Sequence, residues 1–486
     1  MNTDSKNNSI NNGIAAILFV ALPVLLSLYF ENGYFNITQA KLHIFAFLAI
    51  PALIALLAVF TVKAIGHSIE RLDIREWFLL IFAALSFISS ALSTDFEKSF
   101  LGTGGWCVGS FTIISAALIL ILVSRNLNYS HNLWLPIIAV ADVVFLIGIL
   151  QFSGIDVFSM HKGVAEGTYF YYISTIGNVN RFAGYLSLLF PLLLVFFISS
   201  DKKASILIHF SSLVLCTVCV VISASDSAYL GIGFSMFFAF PFIFKNAKRT
   251  FRTFLTLSVY GTLLSLTAVL PCYAPLREQA NGIAAVLFDL RISLPIVISG
   301  ILGCIITLSL EKKYSKKYAA IQTLIFEIIL GAAALYLIFK TVFQFDDSWG
   351  SYRGLIWRSS IDSFKNFSVS DKLFGIGPEM FEKLCPNVNE VFGIRVLTAH
   401  SEPLQILLSN GVFGIVFYIG LWTTIFVDFF RKKVYNNNCI AFYIPLCAYF
   451  AQSLVNSATV INISILIIIA CCYIISTKNI NKNGGI

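Results

Sequence analysis

The chain has 486 residues, of which 58% are hydrophobic and 12% are charged. A soluble domain carries about a quarter charged residues, so this chain cannot cover a water-facing surface. The net charge of +8 does not indicate nucleic-acid binding, because the positive side chains fall mostly in short loops between apolar runs. Loop cations of that kind orient membrane helices. The composition excludes a soluble enzyme and a nucleic-acid-binding protein, and it indicates a polytopic membrane protein.

Apolar runs long enough to cross about 30 Å of hydrocarbon recur along the whole chain. They predict an all-α membrane helix bundle of about 12–14 transmembrane helices. The runs lie near residues 14–30, 42–62, 77–92, 106–123, 133–150, 181–199, 204–223, 228–244, 253–271, 292–310, 319–343, 404–428, 439–455 and 459–475. The first run does not resemble a cleavable signal peptide, since no small-x-small site follows it.

The loop charges test this assignment independently. With the Asn-rich N-terminus in the cytoplasm, the loops assigned to the inside carry many lysines and arginines, and the short outside loops carry few. This alternation follows the positive-inside rule. It divides the chain into helices 1–11 in residues 1–343, a long external loop in residues 344–403, and helices 12–14 with a cytoplasmic tail in residues 404–486. The shorter loop at 151–180 is also expected outside.

The first half of the long external loop predicts an amphipathic helix from Ser351 to Phe367, suited to the membrane interface. Its apolar residues recur at helical spacing: Ile356, Trp357, Ile361, Phe364 and Phe367. The four-residue spacing of Arg358 and Asp362 predicts an ion pair on the helix surface. Arg353 lies at the helix start. Either arginine fits a phosphate-binding role, and the alternative is nonspecific contact with lipid headgroups.

The second half of the loop contains a tight turn and a histidine. Gly375-Ile-Gly377-Pro378 predicts the turn, which would let the backbone approach a ligand. His400 and Glu402 stand immediately before a membrane run. A histidine at a helix mouth can take a proton from a hydroxyl at neutral pH, with Glu402 orienting it. The alternative is that His400 caps the helix that starts near Pro403.

Polar residues also stand at the ends or inside of other runs. Arg181 enters a run from the outside, which favours a functional position over a structural arginine reaching the interface. Asp226 is expected at the same level. Asp142 and Glu327 lie within runs, and the sequence assigns them no partner. The pair Cys216-x-x-Cys219 lies in an apolar run without a second pair at zinc-finger spacing, so no metal site is predicted.

In order and spacing, these pieces resemble the O-antigen ligase and polymerase family of bacterial envelope enzymes. The matching pieces are Gly177-Asn178-Val-Asn180-Arg181, Ser223 to Gly231, Arg353-x-x-x-Trp357, Leu373-Phe-Gly-x-Gly377, His400-x-x-x-Leu404-Gln405 and Asn410-Gly411-Val-Phe-Gly414. The resemblance covers about residues 170–425. The family commonly has Asn after the histidine and an aromatic before the leucine, where this chain has Ser401 and Pro403.

The resemblance implies transfer of a glycan from an undecaprenyl-diphosphate carrier to an acceptor hydroxyl, on the external face of the cytoplasmic (inner) membrane of a bacterium. It implies no cofactor and no metal. The partners would be the carrier-linked glycan, a glycan, lipid or protein acceptor, and membrane lipids. The catalytic candidates are His400, Arg353 and Arg181. The substrate-binding candidates are Arg358, Trp357, Glu402, Asn180 and Gln405.

Three other functions remain open at this point. The family contains ligases, which cap an acceptor, and polymerases, which extend the glycan chain. A polysaccharide-lipid flippase or another multi-span transporter is a different class. Such a protein usually has charged pairs deep in several helices and two related halves, whereas this chain gathers its polar groups in one external loop. An accessory protein without activity would tolerate loss of His400 and Arg353.

Overall fold

The computed structural model describes residues 3–65, 71–103, 105–343, 345–384, 388, 396–431 and 437–483. Most of the described chain is helical. The helices are α1 (Thr3–Leu28), α2 (Ile37–Ile65), α3 (Ile74–Leu92), α4 (Phe96–Leu101), α5 (Ser110–Asn126), α6 (Trp134–Phe152), α7 (Val179–Ser199), α8 (Lys203–Ser223), α9 (Asp226–Ile243), α10 (Ala247–Val269), α11 (Ala274–Gln279), α12 (Gly282–Leu287), α13 (Leu290–Ser309), α14 (Lys316–Phe343), α15 (Trp349–Lys365), α16 (Val369–Phe374), α17 (Glu402–Phe430), α18 (Asn437–Ser453) and α19 (Val460–Asn483). The predicted all-α membrane bundle is confirmed.

Within the described chain, eleven helices are long and apolar enough to cross a membrane. A twelfth span arises if Ala247–Val269 and Pro271–Gln279, bent by 87° at their junction, count as one. Two shorter apolar helices, Ser110–Asn126 and Cys439–Ser453, accompany them. Each of the fourteen predicted runs coincides with one of these helices, because hydropathy alone decides where a chain can cross lipid.

The helix α7 forms the centre of the bundle. Every residue from Phe182 to Ile198 is buried, and the helix packs against α8, α9 and α18. A helix that is apolar on all sides must be surrounded by other helices. The residues at its first turn are therefore held in place by the surrounding bundle.

One end of the bundle carries the long loop and is called the site end. It is marked by Phe152 at the end of α6 and by Val179, Asp226 and Glu402 at the starts of α7, α9 and α17. A two-stranded antiparallel hairpin of β1 (Tyr172–Ile173) and β2 (Gly177–Asn178) leads into α7 there. The Asn178 side chain accepts a hydrogen bond from the Asn180 N–H at 2.8 Å and caps α7.

The long helix α14 lies at the edge of the bundle. No residue in its apolar span is buried, and it packs mainly against α9. Its neighbours α9 and α10 bound a cavity of about 2960 Å³ that reaches the site end. An ordinary small-molecule pocket holds about 300–1,000 Å³, so this cavity has room for a ligand with a long apolar part.

The helix α17 is interrupted at Gly411, whose backbone is left-handed at φ 68° and ψ −169°. The break frees the carbonyls of Leu408 and Ser409 from their helical partners. Ile376 N–H donates to Leu408 at 3.1 Å and Gly377 N–H donates to Ser409 at 3.0 Å. The predicted tight turn is present, but in this structure its glycine backbone approaches α17.

Candidate functional site

Arg353 lies at the site end, immediately after a left-handed stretch of backbone. Gly350, Ser351 and Tyr352 have φ of 60°, 58° and 67°, although the surrounding residues form α15. The stretch turns Arg353 toward the cavity, where its Nη1 donates to the Gly350 carbonyl at 2.7 Å. Its Nε is buried and has no hydrogen-bond partner among the described residues. A half-buried guanidinium with an unpaired Nε–H donor is suited to bind an anion.

Asp226 provides the opposite charge near Arg353 without forming an ion pair with it. Burial lowers the pKa of Arg353, and the negative charge of Asp226 opposes that effect. The Asp226 carboxylate is already occupied, since its Oδ1 accepts from the Ala284 N–H at 2.9 Å. Asp226 thereby fixes α12 as part of the cavity wall. The expectation that Asp226 lies at the same outer level as Arg181 agrees with the helix order, because Asp226 begins α9 and Arg181 lies in the first turn of α7, both at the site end.

His400 lines the same cavity as Arg353. Its backbone is left-handed at φ 49°, and its ring packs edge-on against the Trp106 ring. The ring Nδ1 is buried without a partner in the described chain. Ser401 occupies the N-cap position of α17. Burial, and then the positive charge of Arg353, lower the pKa of His400 to about 3, so the imidazole is neutral at physiological pH.

The peptide before His400 is held from both sides. Trp357 Nε1 donates to the Ala399 carbonyl at 2.9 Å, and the Ala399 N–H donates to Gln405 Oε1 at 2.9 Å. Ala399 itself is fully buried. Trp357 and Gln405 therefore fix the Ala399 peptide next to His400. Trp357 also lines the cavity.

Trp106 separates His400 from Arg181. The Trp106 and His400 rings meet at 88° with centroids 5.7 Å apart, and the Arg181 guanidinium carbon lies 4.7 Å from the Trp106 ring centroid. Cation–π contact of this kind stabilises a buried arginine. Sequence reasoning missed Trp106, because it was assigned to the apolar run at 106–123. The helix α5 begins only at Ser110, which leaves Trp106 in the loop before it.

Glu379 anchors this loop and was also missed. Its carboxylate accepts from the Trp106 N–H at 3.1 Å and from the Val108 N–H at 2.9 Å. Burial raises the pKa of Glu379, while these backbone N–H groups and the charge of Arg181 oppose the rise. A Gly-Pro-Glu sequence ordinarily indicates an exposed turn, so the local sequence predicts an exposed Glu379 instead of a buried one.

Arg181 lies at the start of α7 and is placed behind Trp106. Its Nη1 donates to the Thr38 hydroxyl, and its Nε is buried without a partner among the described residues. Thr38 borders a second, smaller pocket of about 260 Å³. The structure therefore brings Arg353 and His400 into one cavity and connects Arg181 to them through Trp106.

The remaining substrate-binding candidates differ in position. Asn180 lines the cavity, and its carbonyl accepts from Asn456 Nδ2 at 2.7 Å. Glu402 is buried and accepts from the Tyr449 hydroxyl at 2.8 Å. Its carboxylate is thus directed into the bundle between α17 and α18, and among the contacts of the described residues none joins it to the His400 ring in the orienting role expected of it.

Arg358 does not line the cavity, and its predicted pairing is wrong. It forms an ion pair with Asp347 at 3.0 Å, while Asp362 pairs with Lys365 at 2.8 Å. The loop before α15 brings Asp347 within reach of Arg358, and Lys365 is close enough on the same helix to take Asp362. Asp142, left without a partner in the sequence, accepts from the Ser212 hydroxyl at 2.7 Å.

Comparison with known proteins adds one finding. Residues 211–419 match the family model described as O-antigen ligase. The matched segment contains Asp226, Arg353, Trp357, Glu379 and His400. It begins in α8 and ends in α17, so it spans the cavity helices and the long loop together. No curated protein gives a significant match to the chain.

Proposed function

We propose that this multi-pass membrane protein, whose residues 211–419 form a domain of the O-antigen ligase family, transfers a glycan from a polyprenyl-diphosphate carrier to an acceptor hydroxyl. The reaction takes place at the outer face of the cytoplasmic membrane of a bacterium. The match of these residues to a family model described as O-antigen ligase supports this reaction class. One observation carries the assignment to a site: the half-buried Arg353, whose buried Nε has no partner among the described residues, lines the same cavity as His400.

The cavity suits the carrier in two parts. Away from the site end, its wall is apolar and formed by residues of α9, α10 and α14, among them Phe234, Phe237, Leu257, Leu330 and Leu337. These side chains favour a polyprenyl chain by the hydrophobic effect. Its site end carries Arg353, His400 and Asp226. The lipid would lie between the helices, and the diphosphate would reach the arginine.

Arg353 would stabilise the leaving group. As the acceptor oxygen bonds to the anomeric carbon, the bond from that carbon to the diphosphate oxygen breaks, and negative charge develops on the diphosphate. A fixed guanidinium in a water-poor site stabilises such charge as it forms. Arg353 can donate through its free Nε in addition to the bond from Nη1 to Gly350. No metal is required for this step in the proposal.

His400 would accept the proton of the acceptor hydroxyl. Its Nδ1 is buried, so Nε2 is the nitrogen available to a ligand in the cavity. Without a ligand, burial and then the charge of Arg353 hold the pKa of His400 below its ordinary value. A bound diphosphate would offset the charge of Arg353, the second of these two causes, and would move the pKa of the base toward its ordinary value.

The proposal is tested by restoring surface-polysaccharide assembly in a knockout strain with His400→Ala and Arg353→Ala variants at normal membrane levels. We expect neither variant to restore assembly. Full activity of both would overturn the site assignment. A polymerase would use the same chemistry, and the intermediate that accumulates in the knockout distinguishes the two. A long lipid-linked polymer identifies a ligase, and a single lipid-linked repeat identifies a polymerase.

A transporter would give a different result in the same strain. Loss of a flippase leaves the lipid-linked glycan on the cytoplasmic side of the membrane, whereas loss of a transferase leaves it on the outer side. Accessibility of the accumulated glycan to an external glycosidase in spheroplasts separates these outcomes. We expect the glycan to be cleaved. Protection of the glycan would favour the transporter.

A further inference from the structure

The loop between α6 and α7 places a row of aromatic side chains at the mouth of the cavity. Tyr169, Phe170 and Tyr171 are 38%, 42% and 48% exposed and all line the cavity. They belong to a 3-10 turn at Glu166–Tyr171 that leads directly into β1. We infer that this row, called the aromatic platform, binds the sugar rings of the carrier-linked donor. The inference rests on the proposed function.

Tyr169 and the residue that follows the platform, Tyr172, are held by ring contacts, and the Phe170 and Tyr171 rings contact each other with centroids 3.9 Å apart. The Tyr169 ring lies 4.6 Å from the His161 ring, centroid to centroid. His161 is held through Nδ1 by Asp156 at 3.4 Å, and its Nε2 lies 3.3 Å from the Tyr172 carbonyl oxygen. The Tyr34 ring stacks on Tyr172 with centroids 5.1 Å apart. An aromatic surface held in this way loses little conformational entropy when a ligand binds.

A small core lies under these rings. Tyr34, Ile37 and Met160 are buried together, with Phe30, Val164 and Tyr172 packed against them. The Tyr34 hydroxyl lies 2.8 Å from the Ser174 carbonyl and 3.1 Å from Gln151 Oε1. The loop is therefore a folded unit joined to the ends of α2 and α6. This packing restricts the conformations available to the loop and therefore to the platform residues that it carries.

The chemistry of the platform fits carbohydrate. A sugar ring has C–H groups on its faces and hydroxyls around its edge, and the negative face of an aromatic ring attracts polarised C–H groups. Lys162 and Ser159, from the same loop, are exposed and also line the cavity, where they can bind the hydroxyls. A polyprenyl chain would not need these polar neighbours.

The position of the platform selects the donor glycan as the occupant. Arg353 and His400 lie in the cavity that the platform borders. A sugar attached to a diphosphate at Arg353 must leave the cavity through its polar end, since the other wall is apolar. The platform lies at that end, between the last turn of α6 and the first turn of α7.

Exposed aromatics near a bilayer also occur as interfacial anchors, and the same loop offers a control for that role. Phe158 is 51% exposed but does not line the cavity. Its ring lies 5.5 Å from that of Phe30. If the aromatic residues of this loop anchor it in the membrane, Phe158 should contribute as much as Tyr171. If they bind sugar in the cavity, Phe158 should not contribute.

The experiment measures binding of two ligands to the full-length protein in lipid nanodiscs. One is carrier-linked glycan extracted from the producing cells, and the other is undecaprenyl diphosphate without sugar. We expect the double substitution Tyr169→Ala and Tyr171→Ala to weaken binding of the glycan-linked carrier roughly five- to tenfold and to leave binding of the bare carrier unchanged. Replacing both tyrosines by Trp should preserve binding.

Three results overturn the platform: equal loss of affinity for both ligands, an equal loss caused by Phe158→Ala, or no loss in the double variant. The proposed function is tested separately in the same assay by Arg353→Ala, which should weaken both ligands. If Arg353→Ala changes neither affinity while the tyrosine variant loses only the glycan-linked carrier, the diphosphate assignment fails and the platform stands.

Discussion

The imidazole of His400 meets the indole of Trp106 at 88°, with ring centroids 5.7 Å apart. The guanidinium of Arg181 lies near the same indole, 4.7 Å from its centroid. One aromatic ring thus contacts two of the three proposed catalytic side chains, although it comes from the loop before α5 and they come from α7 and the turn before α17. Packing against Trp106 therefore connects His400 with Arg181.

This coupling predicts that Trp106→Ala and Arg181→Ala do not act independently. We expect Trp106→Ala to lower the rate of glycan transfer about tenfold or more, because it releases both His400 and Arg181. Expressed as activation free energies, the loss of transfer rate in the double variant should be smaller than the sum of the losses in the two single variants. Residues in contact commonly show such coupling energies of about 0.5–3 kcal/mol. Transfer rates of the two single variants and the double variant measure this. Additive losses would show that Trp106 does not connect the two residues.

Trp357→Phe and Gln405→Leu each remove one hydrogen bond to the Ala399 peptide. A hydrogen bond of this type contributes about 1 kcal/mol, and its loss would let the His400 ring move. We expect kcat to fall roughly fivefold in each variant, with unchanged affinity for the bare carrier. Steady-state kinetics and carrier binding together check the prediction. A loss of binding without a change in kcat would assign Trp357 to the donor and not to His400.

Stability should depend on pH through His400. Burial, and then Arg353, lower its pKa to about 3, against about 6.5 for an exposed histidine. Between these values the unfolded chain binds the proton and the folded protein does not. The stability contributed by the neutral ring is therefore present above about pH 6.5 and is lost as the pH falls toward 3.

Replacing His400 by Phe removes this titration. Between pH 7.5 and pH 4.5, we expect the unfolding temperature of the wild-type protein in detergent to fall by a few degrees more than that of His400→Phe. Ser401→Ala serves as a neighbouring control and should follow the wild type. Identical pH dependence in wild type and His400→Phe would contradict a buried neutral histidine.

The break in α17 predicts a strong effect of Gly411→Ala. Gly411 has φ 68°, and an added Cβ would overlap the Leu373 carbonyl. The substitution should destabilise the protein by about 2 kcal/mol or more, from backbone strain together with the clash. Folded yield in size-exclusion chromatography measures it. Gly13→Ala is the matched control, because its added Cβ meets nothing within 4 Å; equal yields of the two variants would contradict the account of the break.

The sequence predicts the helices of this protein closely, and it predicts the packing of the site poorly. Spans such as α7 follow from apolar length, which each segment carries by itself. Arg353 and His400 could be found because they stand in a polar segment between membrane runs. Trp106 and Glu379 could not, because their roles depend on contacts between loops that are distant in the chain, and their local sequence favours a span start and an exposed turn.

The errors have the same physical origin. Arg358 was assigned to Asp362 on helical spacing, but Asp347 in the loop before α15 pairs with it. Glu402 was assigned to His400 because the two are close in sequence. In the structure the His400 ring packs against Trp106, whereas the Glu402 carboxylate accepts a hydrogen bond from the Tyr449 hydroxyl. The spacing of residues along the sequence does not predict such partners, because they depend on how the loops fold.

The most direct test of the central claim is the rate of glycan transfer by the purified full-length protein, with carrier-linked glycan as donor and the native acceptor lipid or glycan. We expect Arg353→Ala to lower the rate about 10²- to 10³-fold, as when one fixed donor to a developing anion is removed, and His400→Ala about 10²-fold or more. Arg358→Ala, which removes an exposed arginine outside the cavity, should keep wild-type activity. Wild-type rates in folded Arg353→Ala and His400→Ala protein would contradict the account.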